Sequence, residues 1–481
     1  MRTFENQVQK IKNDVFRKVS EYAFEGTLAE KMIGIPAELN PGPNPKLRCC
    51  VYHERAVTIE RIGMSLGGNK DNVNLVEVLP AACDQCTENR YIVSENCRGC
   101  LAHRCQQSCP VEAISFINNK AIIDYSKCIE CGRCNSACPY NAISDVLRPC
   151  VKACPTKAIS MDDNKKAVID EAKCIRCGAC VYRCPFGAIQ DKSQITQVID
   201  ELNAGEKDLY AIIAPAIATQ FDYATVCQVV TAIKAIGFKD AVEVALGADM
   251  VALHEAREFV DRLEEGRPVM TSSCCPGFVR YVHLAFPELA GEISSTVSPM
   301  IATARMIRSI DSEAKVVFVG PCIGKKGEAS YEGLENEVDY VLTFEELTGI
   351  IESKDIDLSE LDPSPLNNAS LLGRGFASTG GVTKAVADIM KKEFPEVAYN
   401  TVVCDGIEDC KKALTMAKIG KLKNTFIEGM ACKGGCIKGP VTMHYGPGDR
   451  KKHVAYCNEA MEGNSTEATR VFEGLAINLH K

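Results

Sequence analysis

The chain has 481 residues, 46% of them hydrophobic and 25% charged, an ordinary soluble composition long enough for two or three domains with separate cores. Its 55 basic and 63 acidic residues leave a net charge of −8, which argues against a dominant nucleic-acid-binding or anionic-membrane surface. The outlier is 27 cysteines in a chain without tryptophan.

Residues 1–26, MRTFENQVQKIKNDVFRKVSEYAFEG, alternate charged and apolar positions at helical spacing and lack the continuous apolar core of a signal peptide. No later stretch approaches the roughly 18 uninterrupted apolar residues of a membrane span, so a cytoplasmic location is expected. In that setting tight C-x-x-C spacing points to thiolates on metal rather than to disulfides. A Pro/Gly-rich connection, NPGPNPKLR, leads into CCVYHERAVTIERI, whose β-branched content predicts a strand, with Cys49 and Cys50 structural. Residues 1–78 thus form a small N-terminal region whose role the sequence does not reveal.

Sixteen cysteines fall between Cys83 and Cys184, which sets 79–192 apart. They read as Cys97-x2-Cys100-x4-Cys105-x3-Cys109-Pro, Cys128-x2-Cys131-x2-Cys134-x3-Cys138-Pro, Cys150-x3-Cys154-Pro and Cys174-x2-Cys177-x2-Cys180-x3-Cys184-Pro. This is the repeat of bacterial ferredoxins, tandem α+β units in which three close thiolates wrap one cubane and the fourth, before proline, serves the other. A C-x-x-C-x-x-C loop reaches three corners of a cube, and the last corner needs a distant thiol. The proline suits the first turn of a helix, where its missing N–H is no loss.

That exchange groups Cys97, Cys100 and Cys105 with Cys138; Cys128, Cys131 and Cys134 with Cys109; and Cys174, Cys177 and Cys180 with Cys154. Cys150 and Cys184 are left over. Cys83-x2-Cys86 is the candidate for completing a fourth 4Fe-4S cluster with them, although a C-x-x-C pair is equally a zinc half-site. Three or four cubanes in a row make a wire for single electrons.

Beyond residue 193, helices alternate with short apolar runs: LYAIIAP, AKVVFVGP and NTFIEGM read as buried strands of an α/β domain. Ligands in such domains collect beyond the carboxyl ends of the strands, where this half carries its cysteines. Three loops stand out: TSSCCPG at 271–277, GPCIGKKGE at 320–328 and EGMACKGGC at 428–436.

These loops resemble the signature loops T-S-C-C-P-G-W, M-P-C-x-x-K-x-x-E and E-x-M-A-C-x-G-G-C of the [FeFe]-hydrogenases, over about 280 residues of the C-terminal half. The resemblance implies a two-lobed catalytic domain over 193–481 that carries out 2H⁺ + 2e⁻ ⇌ H₂. It implies that Cys275, Cys322, Cys432 and Cys436 hold the cubane of an H-cluster, Cys436 also bridging to a diiron subsite with CO, cyanide and a bridging dithiolate. Four soft thiolates suit iron in any case. By the same resemblance Cys274 passes protons to the diiron subsite, Lys325 pairs with a cyanide, Met430 packs on the subsite, and Ala214 and Pro215 line it. Glu328 orients Lys325 or closes a loop.

In LHEAREFVDRL, Glu255, Glu258 and Arg262 stand at i, i+3 and i+7 on one helical face. Spacing alone favours a solvated salt-bridged face. The resemblance makes them a proton relay, in the order Arg262, Glu258, Ser294, Glu255, Cys274.

Some positions depart from the family pattern. Gly320 stands for the methionine of M-P-C, Ala216 for a serine, Phe278 for the tryptophan, and Lys433 with IKGPVT for the usual glycine-rich continuation; together they point to the group B branch. Methionine to glycine is expected to open packing near the cluster. No dinucleotide-binding fingerprint follows a strand, so no nicotinamide or flavin is expected, and the electron partner would be a ferredoxin or flavodoxin. Dedicated maturation proteins are implied for the diiron subsite. The rival readings are a hydrogen sensor, for which no signalling module is visible, and a non-catalytic iron–sulfur assembly protein, which has no need of Cys274, Lys325 and Met430.

Overall fold

The computed structural model describes residues 4–444, 446–472 and 474–481. Helix α1 (Gln7–Phe24) begins where the Asn6 side chain accepts the Gln9 N–H at 3.0 Å. It buries Val15, Phe16 and Val19 in the main core of the C-terminal half, and buried Lys12 reaches buried Glu345 at 2.9 Å. The N-terminal region is therefore a brace for the larger unit.

The strand expected after Cys50 is instead helix α2 (Val51–Ser65). Its buried positions, Val51, Glu54, Val57, Thr58, Arg61, Ile62, Met64 and Ser65, repeat at helical spacing, so burial of one face overrode the β-branched composition.

Two antiparallel ladders frame the cysteine segment. Tyr91–Val93 pairs with Ile143–Asp145, enclosing one ferredoxin-like unit, while Val76–Val78 pairs with Ile189–Asp191 and encloses everything between. Each unit has its own hairpin, Ile114–Ile117 with Lys120–Ile123 and Ile159–Met161 with Ala167–Ile169. The first unit is thus inserted into the second.

The prolines after Cys109, Cys138, Cys154 and Cys184 do not open helices; they lie in turns that follow short helices. A shared local geometry explains the placement. In each C-P-x-x-A segment the third residue after cysteine has positive φ (Glu112 51°, Asn141 49°, Lys157 55°, Gly187 59°). That turn aims the alanine N–H back at the cysteine sulfur, at 3.3 Å for Ala113, 3.3 Å for Ala142, 3.2 Å for Ala158 and 3.2 Å for Ala188. An amide aimed at sulfur is the kind of hydrogen bond that surrounds a cluster-binding cysteine.

The C-terminal half has two parallel sheets. β1 (Leu209–Ile213) lies between β2 (Asp240–Glu243) and β4 (Lys315–Gly320), and β5 (Tyr340–Thr343) flanks β4. In the second sheet β7 (Thr425–Met430) lies between β3 (Val269–Thr271) and β6 (Asn400–Asp405). Helix α3 (Val244–Glu264) follows β2 and packs into the core through Phe259 and its alanines. Helix α4 (Phe344–Ser353), opened by a Thr343/Glu346 capping box, packs along α1. β1, β3, β4 and β7 all run out into loops at one cavity: Ala214 and Pro215, Cys274 and Cys275, Cys322, and Cys432 and Cys436. No helix among the described residues is long and apolar enough to cross a membrane.

Candidate active site and its cysteine relay

Cys97, Cys100, Cys105 and Cys138 line one small cavity. Burial raises the Cys134 thiol, with Cys128 and Cys131 adding like charge, and Cys109 sits in the same small core. Burial lifts Cys180 well above the ordinary thiol value, reinforced by Cys177, Cys174 and Cys154. Cys150 is pushed to about 11 by burial, and Cys184, Cys86 and Cys83 add to it. The insertion of one unit into the other explains this last group: Cys83 and Cys86 precede the inserted segment, Cys150 and Cys184 follow it, and the Val76–Val78 ladder closes them together. Cys86→Ala is expected to lower iron content by about four atoms per chain, a cubane's worth, measured by metal analysis. Unchanged iron would return the Cys83/Cys86 pair to a structural role.

The relay abuts the strand-end cavity. Cys177 is raised to about 12 by burial, with Cys322 of the cavity among the charges acting on it. Gly178, at φ +72°, packs so closely that a Cβ there would lie 2.6 Å from Pro440 and 2.8 Å from Ile323.

The cavity has a volume of about 90 Å³ and is lined by Cys274, Cys275, Cys322, Cys432 and Cys436 together with Lys325 and Met430. Burial drives the Cys432 thiol well up, and Cys322, Cys275 and Cys436 follow as neighbours in charge. Lys325 Nζ lies 2.6 Å from Glu328 Oε2 and 3.3 Å from the Cys274 carbonyl. Burial opposes its charge, but Glu328 outweighs it and holds the ammonium above its ordinary value. Glu328 thus orients Lys325.

Beneath the cavity, burial and the Glu255 carboxylate keep Cys274 far above the ordinary thiol value, so it holds its proton. Glu255 is fully buried. Its Oε1 accepts the Ser273 N–H at 3.0 Å and the Ser273 hydroxyl at 3.3 Å, and its Oε2 has no hydrogen-bond partner among the described residues. Burial raises it to about 7. Glu258 lies below the ordinary value: burial works against ionisation, but the Ser294 hydroxyl at 2.6 Å, the Ser295 N–H at 2.9 Å and Arg262 at 2.6 Å prevail. Two carboxylates one helical turn apart are held at different proton affinities. One link of the expected order differs: the hydroxyl bonded to Glu255 belongs to Ser273, whereas Ser294 serves Glu258. Ser273 was visible in the TSSCC loop, but its direction depends on how Thr296 O accepts its hydroxyl at 2.6 Å.

Because the folded Glu255 binds its proton more tightly than the unfolded chain does, its contribution costs stability as pH rises from 4.5 to about 7, by up to ~3 kcal/mol. Glu255→Gln should flatten that slope in denaturant titrations at pH 5 and pH 8. An unchanged slope would place the carboxylate in a wetter environment.

The family described as "Iron only hydrogenase large subunit, C-terminal domain" matches residues 207–440, a 4Fe-4S dicluster domain matches 148–188, and a 4Fe-4S binding domain matches 121–144. The chain is 30% identical over 461 residues to iron hydrogenase 1 of Clostridium pasteurianum, covering 82% of this chain and 79% of that one. The chain belongs to the [FeFe]-hydrogenase family. The apo [FeFe]-hydrogenase HydA1 of Chlamydomonas reinhardtii, in a variant form, shares the fold at TM-score 0.50 and 20% identity, over 58% of this chain and 93% of that one. The chain is also 26% identical over 261 residues to a cytosolic Fe-S cluster assembly factor of Xenopus tropicalis, covering 43% of this chain and 54% of the relative.

Within this [FeFe]-hydrogenase fold the donor set fits iron–sulfur cores. Among the described residues no three His, Cys, Asp or Glu side chains converge on a single ion. Instead, several thiols line a cavity together: Cys97, Cys100, Cys105 and Cys138 line one, and Cys275, Cys322, Cys432 and Cys436 with Cys274 line the other. The substitution of glycine for methionine at 320 leaves no opening: a Cβ there would lie 2.5 Å from the Phe318 ring, which fills the place. Phe278 likewise lies against Gly429, 2.4 Å from where its Cβ would be. Neither aromatic partner could be read from the loop motifs, because each sits outside the loop it packs on.

Proposed function

We propose that this chain is a hydrogen-converting enzyme, an [FeFe]-hydrogenase that interconverts two protons and two electrons with H₂ at an H-cluster held by Cys275, Cys322, Cys432 and Cys436. The observation that carries the reading is the convergence of Cys274, Lys325 and Met430 with Cys275, Cys322, Cys432 and Cys436 on one cavity, next to the loop whose Ser273 hydrogen-bonds Glu255. When bound, the H-cluster supplies the iron site at which electrons and protons combine.

The chain's own residues do the rest. Cys274 Sγ holds a proton at the cavity wall. Glu255, near 7, is matched to exchange protons close to neutral pH and can recharge that thiol. Glu258, ionised between Arg262 and Ser294, collects protons from the outer side. Lys325 offers a cation in an apolar enclosure, suited to an anionic ligand. Electrons reach the cavity through Cys177 and its cluster partners, supplied by a ferredoxin or flavodoxin, and maturation proteins install the diiron subsite. We place this activity in the cytoplasm.

Infrared spectroscopy of anaerobically matured protein tests the reading. Bands from metal-bound CO and cyanide, together with hydrogen evolution on reduction, are the expected result. Iron–sulfur absorption without those bands would favour the second reading, an assembly function like that of the Xenopus tropicalis relative.

A further inference from the structure

The outer end of the relay raises a chemical difficulty. Arg262 donates to Glu258 Oε1 at 2.6 Å, to the Ile293 carbonyl at 2.8 Å and to the Gly291 carbonyl at 3.1 Å, with only 7% of its surface exposed. A guanidinium keeps its protons throughout the physiological range, so it fixes Glu258 electrostatically and passes nothing on. Glu258 needs a different proton donor.

A second chain of hydrogen bonds ends on the same carboxylate. Fully buried Thr296 sends its hydroxyl to Glu258 Oε2 at 3.2 Å, and His254 Nδ1 stands 2.8 Å from that hydroxyl oxygen. His254 is half-buried on α3, and its Nε2 lies 3.3 Å from Nε2 of exposed His480. His480 is held in place by the neighbouring backbone: Leu479 O accepts the Val297 N–H at 2.8 Å and Ser295 O accepts the Lys481 N–H at 2.9 Å. Ser295 Oγ also stands 3.1 Å from His480 Nδ1. The charged groups acting on His254 are His480, Glu258, Arg257 and Asp261, and Lys481 Nζ reaches the Ser294 carbonyl at 3.4 Å beside them.

We propose that protons enter the relay through His480, His254 and the Thr296 hydroxyl to Glu258, with Arg262 as an electrostatic anchor. This inference rests on the hydrogenase reading. The step is pure proton transfer. His254 Nε2 takes a proton from His480 or water, and the resulting imidazolium gives its Nδ1 proton to Thr296 Oγ1 as the Thr296 O–H proton moves to Glu258 Oε2; the ring is left neutral with its proton on Nε2, and tautomer exchange resets it. The directions fit, since Thr296 already donates to the carboxylate and its oxygen is free to accept. Burial, with His480 beside it, lowers the His254 imidazole below its ordinary value, which favours passing a proton on over keeping it.

The test follows the Cys274 S–H infrared band, identified by its loss in Cys274→Ser, on transfer of the full-length protein into D₂O. His254→Gly and Thr296→Val should each slow S–H to S–D exchange by about tenfold, and slow hydrogen turnover in parallel, below the ~10²–10⁴ of a directly acting acid–base group because water leaks past. Added imidazole should restore His254→Gly and leave Thr296→Val slow. Wild-type exchange in both variants, or slow exchange in His254→Gly that imidazole does not relieve, overturns the route. Absence of CO and cyanide bands from wild-type protein would instead sink the hydrogenase reading, and the exchange rates would still judge the proton route.

Discussion

Cys274→Ala is expected to cut hydrogen turnover by about 10²–10⁴-fold, the range for loss of a positioned acid–base group, while leaving the CO and cyanide bands in place. The thiol lines the cavity, and burial with the Glu255 charge raises it well above the ordinary thiol value. Cys275, not Cys274, stands among the four thiols grouped in charge around Cys432, so removing Cys274 should not cost a cluster. Turnover and infrared spectra measured on the same sample separate the two roles. A variant that keeps wild-type turnover would remove Cys274 from the proton route, and one that loses iron would make it a ligand. Serine, which keeps a donor but binds its proton far more tightly, should recover little.

The second large effect lies where the ferredoxin-like segment meets the catalytic half. Lys326→Met is expected to destabilise the folded protein by about 3–5 kcal/mol. Lys326 Nζ lies 2.6 Å from Asp191 Oδ2 and 3.0 Å from Glu346 Oε1, and all three side chains are at most 5% exposed. Burial opposes ionisation of Asp191, but Lys326 overcomes it and holds the carboxyl below its ordinary value. Without the cation two carboxylates remain buried and uncompensated. Asp191 ends the ladder closing the second ferredoxin-like unit and Glu346 caps α4, so the loss should also loosen the junction. Denaturant unfolding of variant and wild type at neutral pH measures the difference. Because the stranded carboxylates can take up protons, the deficit should shrink as pH falls towards 5. A deficit below about 1 kcal/mol would mean that water already reaches this cluster.

Much of the site was legible before any fold was known, because its chemistry is local in sequence. The cysteine spacings, Lys325 three residues after Cys322, and Met430 two residues before Cys432 are short-range patterns. Glu255, Glu258 and Arg262 share a face by helical periodicity alone, although spacing by itself favoured a solvated surface. Burial reversed that preference: Glu255 has no exposed surface and Arg262 only 7%. Helix α2 forms in place of the expected strand because the helical repeat of its inward-facing positions outweighs its β-branched content.

By itself the sequence determined the kinds of donor and their loops: sixteen clustered cysteines, then three loops that carry Cys274 and Cys275, Cys322 with Lys325, and Cys432 with Cys436. The tertiary structure decided the groupings that cross long separations. The ladder between Val76–Val78 and Ile189–Asp191 brings Cys83 and Cys86 to Cys150 and Cys184 across an inserted unit, Phe318 covers Gly320, and Ser273 rather than Ser294 meets Glu255. It also seats His254 and His480 on the outer carboxylate through Thr296. The physical reason is common to all four. Ligand type and local spacing are set by covalent neighbours, whereas proton affinity and partnership depend on which distant groups exclude water from one another.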